Sequence, residues 1–249
     1  MSAHRRRDGG GRRALARTGR PVRFVALGRG GGLMLAYTFK QRPLVRQTQG
    51  TTPEVLSEIV EEGVNLALWQ RQLPAHIADF STLLLSMGEP LAEALTLDVK
   101  GGDAEPDLRT LASAYADLHG YEGFIADVSW LVSAYACLLG AECVGLRLRV
   151  LDKAMCPRFH VDHVPVRLIT TYGGIGSQWL KEDVMDRKQL GRVQAEPFDA
   201  ADVQQIGSGD VALLKGERWH GNEGFGLIHR SPPLARNERR LILTLDWLA

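Results

Sequence analysis

The chain has 249 residues, is 45% hydrophobic and carries a formal net charge of +1. That is enough for one large domain, and it lacks the global field of a nucleic-acid or membrane-surface binder. Three cysteines, Cys137, Cys143 and Cys156, are too few for a disulfide framework, so a reducing cytoplasm is the expected compartment. No apolar run reaches the ~20 residues of a membrane span, and the basic start has no apolar segment behind it of the kind a secretory signal needs.

Charge is uneven along the chain. Residues 1–30 hold nine arginines and one aspartate, so the remainder is net acidic. Residues 1–33 are rich in Arg and Gly and show no apolar periodicity. They read as a disordered basic tail, because burial cannot offset their ordering entropy, and Met34 offers an alternative start. The stretch VALGRGGGLML sets Gly28 and Gly30 as a dinucleotide fingerprint would. Leu33 holds the third position, however, and no acidic residue follows at the ribose distance, which excludes that reading.

From Thr52 to Gly140 helical signals dominate. TPEVLSEIVEEGVNLALW has a cap-like Thr52, Pro53 at an N1-like position, early Glu54, and apolar Val55, Ile59, Val60 and Val64. PDLRTLASAYADLHGYEGFIADVSWLVSAYACLLG predicts one or two amphipathic helices, with Gly140 as their stop. Residues 34–140 are therefore expected to form a mainly helical supporting region.

After Ala141 the period becomes two. VGLRLRVL alternates Val144, Leu146, Leu148 and Val150 with Arg147 and Arg149. VRLITTY, VQQIGSGDVALLKG, GFGLIHRS and RRLILTLDWL follow as short strand-like runs between turn residues. The expected fold class is α+β. An N-terminal helical block packs on a jelly-roll barrel spanning 141–249, with 34–249 as one structural unit.

The segment CPRFHVDHVPVRLITTYGGIG opens the β region and concentrates the chemistry. In an extended strand His160 and Asp162 point to one side. His229, in GLIHRSPP, can return to them. Two imidazoles and one carboxylate make the facial triad suited to non-haem Fe(II), with open positions opposite. Arg239 and Arg240 follow ten and eleven residues past His229. A buried arginine there suits a bidentate carboxylate contact, such as the distal end of 2-oxoglutarate.

This order, His160-x-Asp162, then His229, then an arginine, resembles the 2-oxoglutarate/Fe(II) oxygenase superfamily. The fuller wording, CPRFHVDHVPVRLITTYGGIGSQWL with GLIHRSPP, resembles a bacterial family known as domain of unknown function 1826, whose members tend to accompany zinc-homeostasis genes. The resemblance covers roughly residues 55–249. It implies a double-stranded β-helix with helices outside, metal ligands at His160, Asp162 and His229, and a co-substrate anchor at Arg239 or Arg240; Tyr172 is a separate candidate for cofactor binding. It implies an Fe(II)- and 2-oxoglutarate-dependent hydroxylation of an unknown substrate, small molecule or protein; the alternative is a non-enzymatic zinc-binding protein on the same fold. Those oxygenases often carry a polar residue two positions after the arginine, where this chain has Leu241 and Ile242.

Other residues stay open. Cys156, His160 and His163 are spaced for thiolate and imidazole ligation of zinc, with His220 and His229 as the second pair; Cys156 can equally be a small buried residue, and His220 a turn residue. Arg167 can bind a substrate carboxylate or pair with an acidic neighbour. Trp179 can cover the barrel mouth or pack in the core. Nothing points to a nucleic-acid or membrane partner.

Overall fold

The computed structural model describes residues 44–100, 105–192, 196 and 199–248, together with the backbone of two earlier strands. Those strands, β1 (Pro21–Val25) and β2 (Leu35–Phe39), pair antiparallel with Pro21 opposite Phe39. They belong to a compact unit over Met1–Leu44, and Val45–Ala249 forms a second. The remainder of the expected 1–33 tail lies outside the described residues, as do the 28–33 glycine run and Met34.

The second unit contains β3 (Arg46–Gly50), β4 (Val64–Trp69), α1 (Ala75–Ser86), β5 (Ala92–Asp98) and α2 (Tyr121–Leu139). Then come β6 (Cys143–Leu151), β7 (Val166–Gly173), β8 (Gln178–Leu180), β9 (Val203–Gln205), β10 (Val211–Lys215), β11 (His229–Arg230) and β12 (Arg240–Leu248). The main sheet runs β3-β4-β10-β7-β12-β6-β5. Its pairs are antiparallel except β3–β4. A smaller sheet runs β11-β8-β9, and His160 adds to its β11 edge through an isolated bridge to His229. The central order β6-β12-β7-β10 faced by His160-β11-β8-β9 is the strand order of a double-stranded β-helix.

Alternation along the strands divides the core in two. Val144, Leu146, Leu148, Val166, Leu168, Leu241, Leu243 and Leu245 face the helices in one cluster with Phe80, Phe124, Val128 and Leu131. The opposite positions, Ile169, Ala212, Leu214 and Ile242, meet Trp179, Ile206 and Leu227 from the smaller sheet's side. This second cluster fills the space between the sheets. By composition α2 is long and apolar enough to cross a membrane. Here its Phe124, Val128, Leu131, Val132 and Tyr135 stripe is buried on the main sheet. The left-handed Gly140 (φ 64°) ends it, as the sequence predicts.

The helical block expected before residue 140 is not what forms. That region supplies three strands, β3, β4 and β5, to the main sheet alongside two α-helices. In TPEVLSEIVEEGVNLALW the capping signals start only a 3-10 helix, Pro53–Val60. Gly63 then takes φ 78°, and VNLALW becomes β4. That strand sends Ala67 to the helix side and Leu66 and Leu68 between the sheets, so the two-sided apolar run carries no strand alternation.

Candidate metal centre

His160 and His229 form a hydrogen-bonded pair. The His160 N–H donates to the His229 carbonyl at 3.0 Å and the His229 N–H to the His160 carbonyl at 2.9 Å. Directly opposed residues on two strands share a face, and the rings lie 4.5 Å apart by centroid. Each ring has its Nδ1 3.0 Å from the carbonyl two residues earlier, Arg158 for His160 and Leu227 for His229. A carbonyl only accepts, so each Nδ1 carries the proton and each Nε2 presents a lone pair. Both Nε2 atoms point at the Asp162 carboxylate, His229 at 3.4 Å from Oδ2 and His160 at 3.9 Å from Oδ1.

The 3.4 Å separation is that of two ligands on one ion, and the 3.9 Å separation is longer. Ligand atoms about 2.1 Å from a metal stand about 3.0 Å apart at right angles and about 3.4 Å apart at the tetrahedral angle. Among the described residues, no other group of three His, Cys, Asp or Glu side chains converges in this way. Burial pushes the His229 imidazole down to about 4, against the opposing pull of Asp162, so it is neutral at physiological pH, the form that ligates.

Behind Asp162 lies an ion-pair chain. Arg167 Nη1 donates to both Asp162 oxygens at 2.9 and 3.0 Å. Its Nε and Nη2 donate to Asp246 at 2.6 and 3.0 Å, and Arg147 also donates to Asp246. Of the two roles open to Arg167, the structure has the salt bridge, placed inside the barrel, where it fixes the carboxylate's orientation.

Arg240 is the reverse case. It is 0% exposed. Its Nη2 donates to Thr171 Oγ1 at 3.1 Å and Ser177 Oγ at 3.0 Å, while Nε and Nη1 are buried with no partner. No ion pair reaches it among the described residues, and burial pushes it down to about 10. Trp179 stands in the smaller sheet in register with His229, and its buried Nε1 also has no partner. It is a core residue facing Ile242 and Ile169, not a cover at the surface. A buried, unpaired guanidinium is destabilising by several kcal/mol. Arg240 thus has two hydroxyl contacts, two unpaired nitrogens and no acid among the described residues.

Several sequence candidates lie elsewhere. Tyr172 faces the helices with Val166, Leu168 and Thr170, and its hydroxyl donates to Asp127 Oδ2 at 2.6 Å, beside Arg71. Strand parity puts it on the far side of β7 from the triad. Arg239 points to the rim, with Nη1 3.4 Å from the Glu89 carbonyl. Cys156, His163 and His220 are exposed and do not join the cluster. Thr171, Ser177, Arg147 and Asp246 escaped sequence reading. Their roles depend on pairings such as Arg240 with Thr171, 69 residues apart, although the parity of Arg147 and Asp246 on apolar strands was a usable sign of inward charge.

A search of the curated proteins returned no match. Similar solved structures include a Pseudomonas putida prolyl-4-hydroxylase, 15% identical over 78% of this chain and 96% of that one, with a TM-score of 0.39. A dioxygenase for auxin oxidation in rice is 15% identical over 82% and 83%, with a TM-score of 0.40. A bsmA homologue from Methylobium petroleophilum is 11% identical over 82% and 97%, with a TM-score of 0.43. The family model described as a protein of unknown function, DUF1826, matches residues 50–246, and the chain belongs to that family.

Proposed function

We propose that this chain is a metal-dependent oxygenase that uses 2-oxoglutarate, with His160, Asp162 and His229 holding Fe(II). The observation that carries the reading is Arg240, a buried guanidinium without an acid, in the same barrel as a three-ligand centre. Metal ligation alone gives that arginine no purpose. A dicarboxylate whose far end must be held away from the metal does.

In this reading the two Nδ1–carbonyl bonds keep both imidazoles aimed at the ion. Arg167 holds the Asp162 carboxylate in place. Arg240, steadied by Thr171 and Ser177, receives the distal carboxylate, and the Trp179 Nε1–H has an acceptor to meet. Ile169 and Ile242 line the interior with apolar surface and limit water there. When bound, Fe(II) with 2-oxoglutarate would supply oxidative chemistry toward a C–H bond, and the protein supplies position and polarity. The same three ligands could hold zinc, but a closed zinc site needs further ligands, and Cys156, His163 and His220 are turned to solvent.

The test is an anaerobic titration of metal-free protein with Fe(II) and then 2-oxoglutarate, followed by visible absorption. The reading expects a charge-transfer band that requires both additions and is absent from Asp162→Ala. Metal binding that 2-oxoglutarate leaves unchanged would remove the co-substrate and leave a metal-holding protein.

A further inference from the structure

On β6 the side chains that face the smaller sheet are Arg147, Arg149 and Leu151, opposite in parity to the helix-facing Val144, Leu146 and Leu148. Arg147, with its side chain 44% exposed, shares Asp246 with Arg167. Arg149 has no acid. Its Nη1 meets only the Met155 Sδ at 3.7 Å, and its Nε is buried without a partner. Across the sheet it is flanked by Ile242 on β12 and by Ala92 on β5, one apolar and the other small and exposed. Neither neighbour offers the guanidinium an acceptor.

The local charge does not balance. Arg147, Arg149, Arg167 and Arg240 stand against Asp162 and Asp246, leaving two guanidiniums in excess. A divalent ion and a dianionic co-substrate would cancel each other and leave that excess in place. Arg240 is already placed at the start of β12, diagonal to Arg149 through the Arg240–Leu151 and Ile242–Arg149 pairs, and it contacts hydroxyls that Arg149 does not reach.

We propose that the β6 edge of the inner face is a recognition site for an oxyanion on the substrate, with Arg149 as its bidentate anchor and Arg147 beside it. The chemistry shared by carboxylate and phosphate is a pair of acceptor oxygens matched to the guanidinium fork. That the bound molecule is then oxidised rests on the oxygenase reading; that an anion binds here does not.

The experiment is calorimetric titration of the metal-free full chain with inorganic phosphate and, separately, with acetate. It compares wild type with Arg149→Gln, Arg149→Lys and Arg240→Gln, and records the Fe(II)·2-oxoglutarate band for each. The expected result is binding of one of the two anions, weakened at least about tenfold in Arg149→Gln and partly in Arg149→Lys, and retained in Arg240→Gln. Arg149→Gln keeps the co-substrate band. Tighter phosphate binding identifies a phosphate-bearing substrate, and tighter acetate binding a carboxylate. The proposal is overturned if neither anion binds wild type, if the Arg149 variants bind as wild type does, or if Arg149→Gln loses the co-substrate band together with the anion. Should wild type show Arg149-dependent anion binding and no band, the oxygenase reading falls and the anion site stands.

Discussion

Arg240 and Asp246 share one face of β12, yet Asp246 binds two guanidiniums and Arg240 binds no carboxylate among the described residues. The interior thus holds its acids near the triad and leaves a bare cation further along the strand. Such an arrangement is unfavourable for folding alone and favourable for capturing an anion.

That trade can be measured. Arg240→Met removes an unpaired buried charge and fills its space with apolar volume. The metal-free variant is expected to be at least as stable as wild type, by up to about 4 kcal/mol in urea unfolding. A loss of 2 kcal/mol or more would mean that the guanidinium is satisfied in the folded protein.

Asp246→Ala should behave oppositely. It leaves Arg147 and Arg167 without their shared acid and is expected to destabilise by about 3–5 kcal/mol. Because Arg167 then grips Asp162 alone, metal affinity should also weaken, by about 10–100-fold as for other groups that orient metal ligands. Equilibrium unfolding and metal titration on the same sample check both effects.

Tyr172→Phe separates position from proximity in sequence. Its hydroxyl belongs to the Asp127–Arg71 pair under the helices, so the variant should lose about 1.5–3 kcal/mol of stability and bind 2-oxoglutarate as wild type does. Weakened co-substrate binding at unchanged stability would place Tyr172 in the site after all.

Lys215 gives the pH signature. It is 2% exposed, its Nζ donates to the Glu61 carbonyl at 2.9 Å, and burial pushes it down to about 8. Between pH 8 and the ordinary lysine value of about 10.4, the unfolded chain keeps a proton that the folded chain has lost. Stability from this group therefore rises with pH across that window and is flat below it. Subtracting the Lys215→Met profile from the wild-type profile should isolate this rise; a flat difference would contradict it.

How much of this was legible in the sequence follows from parity. The H-x-D spacing and the alternation of VGLRLRVL give same-side placement without any structure, so His160, Asp162 and the β6 face were readable. Choosing between Arg239 and Arg240 was not, because it depends on the strand phase set by pairing with Leu151. Tyr172 was misjudged for the same reason: it lies in the same apolar run as Arg167 but at opposite parity. VNLALW was invisible as a strand because both its faces are buried. The hydroxyls of Thr171 and Ser177 reach Arg240 only through the fold.

The central claim is that Arg240 is held bare to receive the far carboxylate of 2-oxoglutarate. The most direct measurement compares the affinities of Fe(II)-loaded wild type and Arg240→Met for 2-oxoglutarate and for 2-oxobutyrate, which lacks that carboxylate. Truncating one side of a buried charge pair weakens binding by about 2–5 kcal/mol, so wild type should prefer 2-oxoglutarate by at least about 30-fold, and the variant should prefer neither. Equal affinities in wild type, or a preference that survives in Arg240→Met, would contradict the account.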